Sequence, residues 1–62
     1  MIPLVEGISM MHDLAAWYAA EANAYLLEGN LIEASDNFGT ANGLLKAIGI
    51  MEQVKSAMAA NN

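Results

Sequence analysis

His12 is the only imidazole in this chain, so acid–base or metal chemistry would have to begin there. Histidine catalysis needs a nucleophile or an orienting carboxylate within reach. Asp13 is adjacent in sequence, but neighbouring residues on a helix point about 100° apart. A structural zinc takes about four nitrogen or sulfur ligands, and one histidine with no cysteine does not supply them. The Glu-x-x-His pair of di-iron helical bundles would need a glutamate at position 9, which is Ser9. His12 is therefore read as a solvated residue or the edge of a helix seam. Two pairs of acids, Glu6 with Asp13 and Glu21 with Glu28, share a helix side at seven-residue spacing. A calcium site instead gathers its oxygens from a compact loop, so the acids read as a solvated or partner-facing stripe. The glycines are scattered and build no phosphate loop. The methionines (Met1, Met10, Met11, Met51 and Met58) suit adaptable contact surfaces or core packing. No catalytic, cofactor-binding or metal-ligating set is expected, and the chain is expected not to be an enzyme.

Composition points instead to contacts between proteins. A chain of 62 residues is one small domain, and a core of that size rarely supplies more than about 3–5 kcal/mol. With no cysteine, disulfides are excluded, and a partner chain is the remaining source of burial. Apolar types make up 56% of the sequence, more than a two-helix object hides. The net charge is −5, with Lys46 and Lys55 the only cations. Binding to nucleic acid or to an anionic membrane needs clustered cations, so neither is expected. The acids interrupt every apolar stretch before it reaches the roughly 18 residues of a membrane span. The N-terminus lacks the basic start and apolar run of a secretory signal. The lack of cysteine fits a cytoplasmic location.

The elements that would carry these contacts are helical. Leu4, Ile8, Met11, Ala15, Tyr18, Ala22 and Tyr25 are spaced 4, 3, 4, 3, 4, 3, a heptad seam. Pro3 is tolerated at the first helical position, and Ser9 is a second candidate N-cap. Gly29 can end the helix in the left-handed conformation, and Asn30 can cap the next one, with Glu33 three residues on. This predicts an antiparallel hairpin of helices over about 3–28 and 31–59. In the second helix Leu31, Ala34, Phe38, Ala41, Leu45 and Ile48 continue the seam, after which Leu44, Ile48, Met51, Val54 and Met58 shift the stripe round the helix. Either one long helix faces two neighbours or the chain breaks at 42–43. Burial of Phe38 in the seam implies that Phe38→Ala costs about 3–5 kcal/mol. The tail from Ala59 to Asn62 is expected to fray. No tandem repeat is evident.

Further apolar residues lie off the seam. Trp17 stands nearly opposite it, among Asp13, Glu21 and Glu28, with Ala20 and Ala24 on the adjoining strip. Tryptophan is enriched at binding hot spots, so these residues are the candidate partner-binding set. On the second helix Ile32, Gly39, Gly43 and Ile50 share a face, and Gly39 and Gly43 form a G-x-x-x-G pair; this is the candidate self-association face. The expected assembly is a dimeric four-helix bundle or a higher oligomer, with a second protein as a further partner.

Residues 17–41 resemble one tetratricopeptide unit, through Tyr25, Gly29, Ala34, Phe38 and Ala41, with Ala22 at the small position of the first helix. That family stacks helix pairs into grooves that bind peptides, so the resemblance implies a protein-binding hairpin. Two functions follow as expectations. One is a small inhibitor, adaptor or regulator that covers a surface of a larger protein. The other is a structural subunit of a homo-oligomeric assembly or filament.

Overall fold

The computed structural model describes residues 3–60; Met1, Ile2, Asn61 and Asn62 lie outside the described residues. Two helices, α1 (Leu4–Leu27) and α2 (Leu31–Ala60), pack as an antiparallel hairpin. The hairpin measures 51 × 17 × 15 Å. Pro3 is the N-cap of α1, one residue before the position the sequence suggested for it. Its ψ of 148° is extended, and its carbonyl accepts the Gly7 amide at 2.9 Å. Ser9 lies inside α1 rather than at its start.

The turn is built as its residues require. Gly29 has φ +79°, which L side chains resist. Its amide donates to the Leu26 carbonyl at 3.0 Å, and the Asn30 amide donates to the Tyr25 carbonyl at 2.9 Å. The Tyr25 carbonyl also accepts the Glu28 amide at 3.1 Å, so the last turn of α1 closes on its own carbonyls. Asn30 then opens α2. Its side-chain oxygen accepts the Glu33 amide at 3.3 Å, and its carbonyl accepts the Ala34 amide at 3.0 Å.

α2 runs unbroken through Asn42 and Gly43, so the long-helix alternative holds. It has 30 residues against 24 in α1. At about 1.5 Å per residue its last turns overhang the start of α1. Val54 and Met58, in that overhang, are exposed. Of the tail expected to fray, Ala59 and Ala60 are helical, and Asn61 and Asn62 lie outside the described residues.

The interhelical contact is narrow and lined by small residues. The buried side chains are Ile8, Ala15 and Ala22 on α1 and Ala34, Ala41 and Ile48 on α2, each set at seven-residue steps. Half-buried residues flank them: Leu4, Met11, Tyr18 and Tyr25 on α1, and Asn37, Leu44 and Met51 on α2. The α1 seam is therefore the expected one. The α2 seam is so only in Ala34, Ala41 and Ile48. Leu31, Phe38 and Leu45, expected inside, are 65%, 41% and 53% exposed. Asn37, Leu44 and Met51 take the inward flank instead. The C-terminal stripe through Leu44, Ile48 and Met51 sets the rotation of α2, and a straight helix carries that rotation back to Asn37. Asn37 tolerates half-burial because its amide nitrogen donates to the Glu33 carbonyl at 2.8 Å.

Candidate protein-docking site

Trp17 faces outward from α1, and its neighbours turn it into part of a surface. The indole is 55% exposed and meets Tyr18 edge-to-face, with ring centroids 5.1 Å apart at 88°. Tyr18 is half-buried in the seam, so the contact braces the exposed ring against the hairpin. Towards the N-terminus, Leu14 and Met10 are 46% and 55% exposed. With Gly7 and with Met51 of α2 they line an open trough of about 800 Å³, floored by Ile8 and Met11. Gly7 contributes no side chain, which lets the trough run on past Met10. Asp13 also lines it. It is the acid that the hairpin brings to the same depression as Trp17.

The rest of the expected partner-binding set is spread more widely. Glu21 is half-buried one turn beyond Trp17, while Ala20 and Ala24 are exposed on α1 outside the trough. Glu28 is the C-cap of α1 at the turn, about 16 Å along the axis from Trp17 at 1.5 Å per residue. It does not share the site. The sequence reading passed over Gly7 and Leu14 as docking residues, and named Met10 and Met51 only among methionines that suit contact surfaces or core packing. The signal for most of them was present, because Pro3, Gly7, Met10, Leu14 and Trp17 are spaced 4, 3, 4, 3, a second heptad line beside the first.

On α2, Ile32 and Ile50 are 75% and 58% exposed. A Cβ placed on Gly39 or Gly43 would meet nothing within 4 Å. These four residues form the outer face of α2. A smaller groove, of about 570 Å³, lies on the flank between that face and α1, and Gly39 also borders it. Phe38 and Leu45 line it together with Ala19 of α1. At about 100° per residue, this groove and the Trp17 trough fall on opposite flanks of the buried line.

His12 is exposed. Among the described residues no group of three histidines or acids could hold a metal ion. No helix among them is long and apolar enough to cross a membrane. The chain significantly matches no family model, no curated protein and no solved structure.

Proposed function

We propose that this chain is a non-enzymatic interaction module that docks on another protein through the Trp17 trough, acting as a small inhibitor, adaptor or regulator. The observation that carries this reading is the run of exposed Met10, Leu14 and Trp17 along one depression, with Met51 on its far wall. Contiguous exposed apolar surface of this kind marks interaction sites. A braced tryptophan beside adaptable methionines fits a hot spot with a tolerant surround. The trough is straight and follows α1, so an apolar helix face of the target is the complementary shape. Asp13 on its wall favours a target with a cation beside that face. The cysteine-free sequence supports a cytoplasmic site of action.

The test is retention of a target by the immobilised chain, compared across variants that keep the parent's helicity. Trp17→Ala and Leu14→Asp should release a target that the parent and Ile50→Asp both retain. Purified target should also change the emission of the single tryptophan on binding. Equal retention by all four proteins would refute the reading.

A further inference from the structure

Leu31, Phe38 and Leu45 recur every seven residues on α2 and remain 65%, 41% and 53% exposed. They stand on the flank away from the trough. Ala19 of α1 joins Phe38 and Leu45 in one groove, with the small or neutral Ser35, Gly39 and Asn42 on its α2 side. Residues in step with Ala19 on α1 are Val5, His12 and Leu26, again at seven-residue intervals, and Val5 and Leu26 are 60% and 48% exposed. The hairpin thus has an apolar flank contributed by both helices.

This flank differs from the trough in charge. No ionisable side chain lines its groove. At about 100° per residue, Glu6, Asp13, Glu21 and Glu28 of α1 and Glu33 and Asp36 of α2 all point elsewhere. Glu52 shares the flank only at its open end.

We infer that this flank joins two copies of the chain into a two-fold antiparallel dimer whose contact lies at the turn end of each hairpin. This goes beyond the trough reading and is independent of it. Charge singles out this flank as the face on which a second copy meets no carboxylate in the groove. Each chain carries −5, and two troughs pressed together would oppose identical carboxylates, a juxtaposition that suppresses pairing. The Phe38 flank lets identical chains meet without that opposition. Area agrees. A compact monomer of 6.6 kDa exposes about 3,900 Å², whereas the hairpin exposes 4577 Å². The surplus is on the order of 700 Å², so the hairpin alone leaves more surface exposed than a compact chain of its mass. The pattern also specifies the orientation. Leu31 and Leu45 lie seven residues to either side of Phe38. A two-fold axis at Phe38 therefore sets α2 antiparallel to its copy, with Phe38 on Phe38 and each Leu31 on the other copy's Leu45. The small Ser35 and Gly39 offer the holes that such knobs need.

The solution mass by light scattering over a wide concentration range is the first measurement. The expected value is twice 6.6 kDa. Phe38→Asp should weaken pairing by at least about 30-fold, as loss of a hot-spot aromatic does, while Trp17→Ala should leave it unchanged. Because Phe38→Asp could also unfold a marginal hairpin, a second variant reads the interface directly. The chain has no cysteine, so Phe38→Cys should form a disulfide-linked dimer under mild oxidation, much faster than Trp17→Cys. A monomeric parent, a mass above the dimer, dissociation by Trp17→Ala, or equal cross-linking of the two cysteine variants would each overturn the inference.

Discussion

Gly43→Ala should stabilise the protein, and the size of the gain follows from its surroundings. Gly43 lies in the middle of α2 with no positive φ. A Cβ built on it meets nothing within 4 Å. The added methyl therefore meets no steric cost. Alanine is favoured over glycine in a helix interior by about 0.8–1.0 kcal/mol, because glycine loses more backbone freedom on folding. In a domain this small, 1 kcal/mol moves the Tm by about 4–8 °C. Thermal melting followed by far-ultraviolet circular dichroism, on dilute protein, reads that shift directly. An unchanged or lowered Tm would refute the reasoning. It would mean either that the backbone at Asn42 and Gly43 leaves the helix, as a three-helix chain requires, or that another surface packs on the bare glycine face.

Two further substitutions probe the contact and the turn. Ile48 is 5% exposed, and Ile48→Ala should cost about 2–5 kcal/mol. That is comparable with the whole stability of so small a core, so the variant should show little cooperative melting; a transition like the parent's would remove Ile48 from the core. Gly29→Ala places a Cβ on a residue with φ +79° and should cost about 1–2 kcal/mol, with Gly29→Asn recovering part of the loss. An unchanged Tm for Gly29→Ala would show that the turn does not need its left-handed residue.

The hairpin was legible in the sequence because its turn carries local instructions. Gly29 takes the positive φ that its type permits and the Asn30 side chain accepts the Glu33 amide, and no tertiary contact is needed to read them. The α1 seam was legible for a related reason: Leu4, Ile8, Met11 and Tyr18 outweigh the rest of that side of the helix. The seam of α2 was legible only in Ala34, Ala41 and Ile48. Two candidate lines flank Ala34, Ala41 and Ile48, and the more apolar one, through Leu31, Phe38 and Leu45, is the one left outside. Hydrophobicity ranks the lines, but a helix pairs with only one neighbour at a given face, and the stripe near Met51 decided which. The candidate site divided in the same way. Trp17 stood out by type and Gly7, Met10 and Leu14 lie on its heptad line, but that line becomes a depression only when Met51 joins its lining. Glu28, seven residues from Glu21, shares its helix side but lies at the turn, because angular position says nothing about height along the axis.

The placement of the trough and the Phe38 groove on opposite flanks has a consequence for valence. Occupying one would leave the other open, so a second copy and a target would not compete for the same chain. Two hairpins joined across their Phe38 flanks would point two troughs outward, away from the shared axis. Such a pair is bivalent. Against a target that is itself paired or repeated, the second engagement becomes intramolecular, and apparent affinity can exceed that of a single trough by about 10²–10⁴ without any new contact. A weak individual site would then act strongly only on targets spaced to match the two troughs.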